Sequence, residues 1–131
     1  MTLDRLKNLY HLQSEIDLLQ QRIDALKDEA EQITQTLSDM PQGHQDDKLG
    51  KIIAAYVDLE QELINMRENQ IREKKDITRY INSISDVQTR NIFYLRFFEH
   101  LTWERIALTL GGYNSAENCR KIVYRYIKNH F

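Results

Sequence analysis

The chain has 131 residues, of which 41% are hydrophobic and 29% charged, and its formal net charge is -2. This size fits one domain, or one small domain with an appendage. No apolar run approaches the roughly 20 residues of a membrane-spanning helix, and the N-terminus lacks a signal-peptide pattern. We therefore expect a cytoplasmic protein without a membrane partner. One proline and four glycines among many Leu, Ile, Glu, Gln, Lys and Arg predict an all-α fold.

The small net charge conceals an uneven distribution along the chain. Residues 1–85 contain 11 Lys and Arg against 16 Asp and Glu, a net of -5. Residues 86–131 contain 7 against 4, a net of +3. The acidic and basic parts are therefore expected to meet different partners.

The first part of the chain carries a heptad pattern of apolar residues. They recur in alternating steps of three and four, which is the spacing of a coiled-coil seam. The members of this series are Leu9, Leu12, Ile16, Leu19, Ile23, Leu26, Ala30, Ile33, Leu37 and Met40. The segment SDMPQGHQDD then contains the only proline, Pro41, and also Gly43, which are typical of a turn. These residues predict a loop at about 38–48.

A second apolar series follows the loop, and it contains a polar interruption. Its apolar members are Leu49, Ile52, Tyr56, Leu59, Leu63, Met66, Ile77, Tyr80 and Ile84. Gln70 and Glu73 occupy the seam between Met66 and Ile77. A short connection between two long helices favours an antiparallel hairpin, which here covers residues 1–84.

The polar interruption affects how this hairpin is expected to pack. Folding about the loop sets Ile16 and Leu19 against Gln70 and Glu73, and burying a carboxylate and an amide against aliphatic side chains is costly. We therefore expect the hairpin to loosen towards its N-terminal end and to leave that stripe uncovered. A second protomer or the C-terminal domain would then cover it, and we expect a homodimer or a higher oligomer.

Residues 85–131 have a different pattern, which predicts three short helices. Ser85 and Gln88 match a capping box at the start of the first helix. We expect this helix to run to about His100. Its apolar residues are Val87, Ile92, Phe93, Leu95, Phe97 and Phe98.

The other two short helices are separated by a glycine turn. Thr102 is the expected N-cap of a helix that continues through Leu110, and Gly111 and Gly112 end it because glycine tolerates the left-handed conformation. Ser115 is the expected N-cap of the third helix. The residues predicted to be buried in the two helices are Trp103, Ile106, Ala107, Leu110, Cys119, Ile122, Val123 and Tyr126. Three short helices with a glycine turn before the last one are typical of a helix-turn-helix domain.

The stretch RNIFYLRFFEHLTWERIALTLGG, followed by a basic last helix, resembles region four of bacterial sigma factors. It is also similar to the sigma-like regulators of the RinA and ArpU type that phages carry. The matching residues are Arg90, Leu95, Arg96, Phe97, Thr102, Ile106, Ala107 and Gly111. The resemblance covers about 45 of the 131 residues, and it implies a helix-turn-helix that binds DNA through its last helix.

The chain departs from this pattern in the turn. Gly112, Tyr113 and Asn114 lie between Gly111 and Ser115, so the turn is about two residues longer than in the sigma-like family. The long hairpin has no counterpart in region four, although small phage regulators resemble this layout of a helical extension followed by such a domain.

The last helix has a predicted DNA-binding face opposite its core stripe. At 100° per residue, Glu117 and Lys121 lie on this face near the helix start, where side chains approach base edges. Glu117 is suited to cytosine, Asn118 to adenine, and Arg120 or Lys121 to guanine. Later residues are suited to phosphates, with help from the helix starts at Thr102 and Ser115. The predicted DNA-binding residues are Ser115, Glu117, Asn118, Arg120, Lys121, Tyr124, Arg125 and Lys128.

No pattern in the sequence indicates catalysis, a metal or a cofactor. Gly111 and Gly112 lack the lysine and the strand of a phosphate-binding loop. Cys119 falls on the predicted buried side of its helix, where a thiol acts as an apolar filler. The histidines show no metal-ligand spacing; they are His11, His44, His100 and His130. We therefore expect a protein that is not an enzyme.

The leading interpretation is a phage or prophage transcriptional regulator that binds double-stranded DNA. Its hairpin would dimerise the protein or contact RNA polymerase. Two alternatives stay open at this point. One is a DNA-packaging component such as a small terminase subunit, which would form a ring. The other is a protein-only adaptor that binds RNA polymerase or a host sigma factor.

Overall fold

A computed structural model describes residues 1–37 and 44–130, and over these residues the chain is α-helical without strands. The all-α fold class is therefore confirmed. The helices are α1 (Leu3–Leu37), α2 (His44–Asn82), α3 (Val87–Phe97), α4 (Trp103–Leu110) and α5 (Ala116–Asn129). Within the described part of the chain, none of them combines the length and the apolar character that crossing a membrane requires.

The structure divides the chain into two compact units. The coiled-coil unit is Gln13–Asn69, and the C-terminal unit consists of Met1–Leu12 and Gln70–Phe131. We had expected a division between residues 84 and 85. Both long helices instead contribute to both units, because the first turns of α1 and the last turns of α2 pack with the three short helices.

The coiled-coil unit is an antiparallel helix pair. Lys27 Nζ lies 3.4 Å from Glu60 Oε1, and Arg67 Nη2 donates a hydrogen bond of 3.2 Å to Gln20 Oε1. A residue seven positions earlier in the first helix thus contacts a residue seven positions later in the second, as antiparallel helices require. The buried side chains of the seam are Ile16, Leu19, Ile23, Ala30, Ile52 and Leu63.

For the first residues of the N-terminal stripe, the expected cover by the C-terminal domain is confirmed, whereas the expectation that the hairpin loosens around Ile16 and Leu19 is wrong. Ile16 and Leu19 are only 4% and 5% exposed within a single chain. Leu6 and Leu9 are buried in the core of the C-terminal unit, so the C-terminal helices cover this part of the stripe. The reason for requiring a second protomer along this seam is thereby removed.

An ion-pair cluster accounts for the polar interruption in α2. Arg5 Nε and Nη2 each donate to one Glu73 oxygen at 2.9 Å, and Nη2 also donates to Asp76 Oδ2 at 2.8 Å. These hydrogen bonds raise the pKa of Arg5 above its ordinary value. We had expected Glu73 to face aliphatic side chains, but the sequence pattern did not reveal that Arg5 lies within reach of its carboxylate.

The expected loop is shorter than the sequence pattern indicated. Helix α2 begins at His44, so residues 44–48 are helical. Asp47 stands in the first turn of α2, where a carboxylate interacts favourably with the helix dipole. Pro41, Gly43 and the rest of residues 38–43 lie outside the described part of the chain.

The core of the C-terminal unit draws on all five helices. Its buried residues are Leu6, Leu9, Ile77, Ile81, Ile84, Ile92, Phe93, Phe97, Ile106, Cys119, Val123 and Ile127. Tyr80 closes one end of this core: its ring lies 6.1 Å from the rings of Phe93 and Tyr126, and its hydroxyl donates to the His130 carbonyl at 3.0 Å. Burial raises the pKa of Tyr80 to about 12.

Helix α3 begins one residue later than expected and ends earlier. Its N-cap is Asp86, not Ser85, because Asp86 Oδ2 accepts hydrogen bonds from the Thr89 backbone N–H at 2.9 Å and from the Thr89 hydroxyl at 2.7 Å. The helix ends at Phe97 rather than near His100. His100 has a left-handed φ of 57°, and the Leu101 N–H donates to the Leu95 carbonyl at 3.1 Å, so the chain turns out of the helix at this point.

Candidate nucleic-acid interface

Helices α4 and α5 are joined by the expected turn, and both predicted N-caps are confirmed. Thr102 Oγ1 accepts from the Arg105 N–H at 3.2 Å, and Ser115 Oγ accepts from the Asn118 N–H at 3.1 Å. Gly111 and Gly112 have φ values of 69° and 66°. A residue with a Cβ atom adopts this conformation only at a cost, so the two glycines fix where α4 ends.

A chain of side-chain hydrogen bonds holds the lengthened turn. Asn114 Nδ2 donates to the Gly111 carbonyl at 2.8 Å, and Gln88 Nε2 donates to Asn114 Oδ1 at 2.8 Å. The turn is thus tied both to the end of α4 and to the first turn of α3. Asn114 therefore positions the start of α5, a role that the sequence pattern did not reveal.

Helix α5 packs into the core through one side. Cys119 and Val123 are fully buried, and Ile127 is 7% exposed. Ile122 and Tyr126 are half-buried beside this stripe, whereas we had expected them to be buried and had not included Ile127. Burial raises the pKa of the Cys119 thiol, which keeps it protonated and unreactive.

The opposite side of α5 is exposed and basic. Six of the eight predicted DNA-binding residues are exposed, namely Ser115, Glu117, Asn118, Lys121, Arg125 and Lys128. Lys121, Arg125 and Lys128 follow one another at intervals of four and three residues, so they share one side of the helix. None of the three forms a hydrogen bond or ion pair with residues 1–37 or 44–130.

Arg120 is engaged within its own helix. Its Nε and Nη2 atoms contact the two carboxylate oxygens of Glu117, with Nε at 3.1 Å, and its guanidinium lies 5.2 Å from the centre of the Tyr124 ring. This pairing lowers the pKa of Glu117 and raises the pKa of Arg120. Exposed ion pairs of this kind are weak, so a stronger anion can displace Glu117 from Arg120.

Tyr124 is half-buried and packs against α4. Its ring lies 6.4 Å from that of Trp103, which in turn lies 4.3 Å from the Arg96 guanidinium. Arg96 also donates to the Leu101 carbonyl at 2.9 Å. Tyr124 therefore contributes to the packing of α5 against α4.

Comparison with protein-family models, curated proteins and solved structures found no match. The resemblance to sigma-like regulators thus depends on the residues of this chain alone. The site has to be interpreted from its geometry and charge.

The charge separation follows the structural units more closely than the sequence halves. The C-terminal unit contains 13 Lys and Arg against 7 Asp and Glu, a net of +6, and the coiled-coil unit contains 5 against 13, a net of -8. The division at residue 85 had given only +3 and -5. The difference arises because the basic end of α2, from residue 70, belongs to the C-terminal unit.

Sequence reasoning did not include Tyr113 among the site residues. Its side chain is fully exposed in the turn that precedes α5. An exposed aromatic ring between Gly112 and Asn114 is a signal that could have been used, since a turn tip rarely needs a tyrosine for packing. Tyr113 is thus a further candidate contact beside the start of α5.

Proposed function

We propose that this protein is a phage or prophage type of transcriptional regulator that acts in the cytoplasm and binds double-stranded DNA through α5. The observation that supports this most directly is the row of Lys121, Arg125 and Lys128. These three cations are exposed, share one side of α5 and form no hydrogen bond or ion pair within the described part of the chain. They belong to a unit with a net charge of +6, which attracts a polyanion.

The residues of α5 divide into two groups by position. Glu117, Asn118 and Lys121 stand near the start of the helix, where they suit base edges in the major groove. Arg125 and Lys128 stand one to two turns later and suit phosphates. Arg120 would join the first group once a base or phosphate replaces Glu117 as its partner.

The test compares variants of the exposed row with a matched control. Lys121→Ala combined with Arg125→Ala should weaken binding to DNA fragments that flank the gene, and should lower the slope of log affinity against log salt by about 0.9 for each lost phosphate contact. Lys51→Ala is the control, because Lys51 is also an exposed lysine on a helix but lies in the acidic coiled-coil unit. Equal affinities for all three proteins would contradict the assignment of α5.

One observation favours a second function, that of an adaptor between proteins. The coiled-coil unit has a net charge of -8, which repels DNA and suits a basic protein surface such as one on RNA polymerase or a sigma factor. An adaptor would bind that partner without any affinity for DNA.

A DNA-packaging ring would instead require self-association. We had based the expectation of an oligomer on an uncovered seam at Ile16 and Leu19, but both side chains are buried within one chain.

A further inference from the structure

The C-terminal unit contains a cavity of about 280 Å³ between the start of α1 and the end of α3. Leu6 and Phe97 are buried and form its apolar floor, while most of the other lining side chains are exposed at its mouth. Ligand sites in proteins usually have volumes of about 300–1,000 Å³. This cavity is close to the lower limit, so it suits a small ligand.

Four side chains of the lining carry nitrogen groups that can donate hydrogen bonds, and no carboxylate lines the cavity. Lys7 and His11 are four residues apart on α1, so they share one side of that helix. Arg96 and His100 come from the end of α3 and from the turn that follows it. None of the four forms an ion pair within the described part of the chain. Such a lining attracts an anion.

Arg96 is held in place but has no acidic partner. It is half-buried, its guanidinium lies 4.3 Å from the centre of the Trp103 ring, and its Nη1 donates to the Leu101 carbonyl at 2.9 Å. A guanidinium has five N–H donors, so Arg96 keeps donors for a further acceptor. Arg5 is also half-buried, but it is paired with Glu73. Arg96 thus presents a positioned cation that an external anion would neutralise.

His100 stands at a position where the backbone favours glycine. Its φ of 57° lies in the left-handed region, which is unfavourable for residues with a Cβ atom. Its ring packs edge-on against that of Tyr10, with the ring centres 4.9 Å apart and the planes at 61°. What histidine adds at this position is therefore its ring, which together with Tyr10 gives the cavity an aromatic wall.

We propose that this cavity binds a small phosphate monoester whose organic part is apolar or aromatic. The phosphate would accept hydrogen bonds from the four nitrogen-bearing side chains, and the organic part would pack on Leu6, Phe97 and Tyr10. A phosphate suits this set better than a carboxylate because it has three strong acceptor oxygens and up to two negative charges, and both Arg and Lys bind it. Asp4 and Glu99, the acidic residues nearest to the four in the chain, are exposed and do not line the cavity.

The first test is isothermal titration calorimetry of the full-length protein in a buffer without phosphate. The probes are phenyl phosphate, inorganic phosphate and phenol. We expect phenyl phosphate to bind, inorganic phosphate to bind at least about tenfold more weakly because it lacks the apolar contact, and phenol not to bind measurably. Equal affinities for the two phosphates would show an adventitious ion only. That result, or no binding of phenyl phosphate, would overturn the proposal.

A lysine substitution then locates the site. Lys7→Ala should weaken binding of phenyl phosphate by at least about fivefold, because a hydrogen bond to a charged group is lost. Lys75→Ala is the matched control, since Lys75 is an exposed lysine of the same unit that does not line the cavity. Equal losses in the two variants would show attraction by net charge alone and would overturn the proposal.

His100→Gly tests the same site with a substitution that the backbone favours. Glycine relieves the strain of the left-handed conformation, so the variant should keep its helical circular dichroism spectrum. Binding of phenyl phosphate should nevertheless weaken by at least about fivefold, because a donor and the aromatic wall are lost. Unchanged affinity in the folded variant would contradict the proposal.

The DNA backbone is the other source of a phosphate for this cavity. Lys7→Ala and Lys75→Ala each remove one positive charge from the same unit, and we expect them to bind DNA with equal affinity. A larger loss of DNA affinity in Lys7→Ala, without any binding of phenyl phosphate, would identify a backbone phosphate as the occupant and overturn the proposal. The calorimetry contains no DNA, so its outcome does not depend on whether α5 binds DNA.

Discussion

At the scale of single residues, the site differs from a uniformly basic surface because one of its cations is already paired. Arg120 contacts both oxygens of Glu117 and lies over Tyr124, whereas Lys121 and its neighbours on the exposed side have no such partner. Free cations bind phosphate without displacing anything. In the proposed complex with DNA, Arg120 would have to exchange Glu117 for a nucleic-acid group, and Glu117 would then regulate its availability.

Glu117→Gln should therefore increase affinity for DNA of unrelated sequence. The substitution removes the negative charge that holds Arg120, and it also removes the proposed acceptor for cytosine, so discrimination between specific and unrelated DNA should fall. Anisotropy titrations against both kinds of DNA measure this. Glu99→Gln removes an exposed carboxylate outside α5 and serves as the control; an equal rise in both variants would mean that net charge alone is responsible.

The N-cap of α3 gives a prediction about pH. The hydrogen bonds from the Thr89 hydroxyl and backbone N–H lower the pKa of Asp86 in the folded protein, while an unfolded Asp titrates at about 3.9. The stabilisation is thus complete above about pH 4 and is lost as the pH falls through the lower folded pKa. Urea unfolding at neutral and acidic pH should show a smaller acid-induced loss of stability for Asp86→Asn than for the natural protein. Ser85→Ala should leave the stability unchanged at both pH values, and a loss of stability in that variant at neutral pH would restore Ser85 as the cap.

At the scale of elements, the first turns of α1 are part of the fold of the proposed DNA-binding unit. Leu6 and Leu9 are 1% and 4% exposed in the same core as Phe93 and Val123. Ile77 and Ile81 at the end of α2 join them, together with Ile84 just after this helix. The three short helices thus depend on a segment of α1 that lies more than 60 residues before them in the chain.

Leu9→Ala should destabilise the C-terminal unit by about 2–5 kcal/mol, the usual cost of truncating a buried leucine. Trp103, the only tryptophan of the chain, lies in that unit and reports its unfolding in urea by fluorescence. Leu18→Ala is the control and should change stability by less than about 0.5 kcal/mol, because Leu18 is 61% exposed. A cost for Leu9→Ala as small as that of the control would mean that α1 does not belong to this core.

At the scale of the whole molecule, local patterns predicted the helices and most of their ends, while contacts between distant residues could not be predicted. The heptads of α1, the caps at Thr102 and Ser115, and the glycine turn are local features, and the structure contains them. The pairing of Arg5 with Glu73 and the burial of Leu6 depend on tertiary packing. Without these contacts, the sequence pattern suggested an open seam at Ile16 that the structure does not have.

The same limit applies to the candidate site. Helical periodicity placed Lys121, Arg125 and Lys128 correctly on the exposed side of α5. Helical periodicity also placed Tyr124 on the exposed side. It could not predict the tertiary contact in which Trp103 from α4 packs against the Tyr124 ring. Asn114 stabilises the turn partly through the hydrogen bond that it accepts from Gln88, which is 26 residues away. A local sequence pattern could not predict a contact between residues this far apart.

At this scale the two units differ in the sign of their charge: the C-terminal unit has a net charge of +6 and the coiled-coil unit -8. A regulator that binds DNA with the first and a basic protein surface with the second would use both. The central claim is the first of these two interactions.

The most direct test is an anisotropy titration of the natural protein against DNA fragments that flank its own gene, repeated at several salt concentrations. The account predicts tight binding to at least one fragment, with affinity that falls steeply and linearly on a log–log plot as salt increases, because bound protein releases counterions. Absence of binding to every fragment at low salt would contradict it. The exposed cations of α5 would then serve a protein partner, and the adaptor function would take first place.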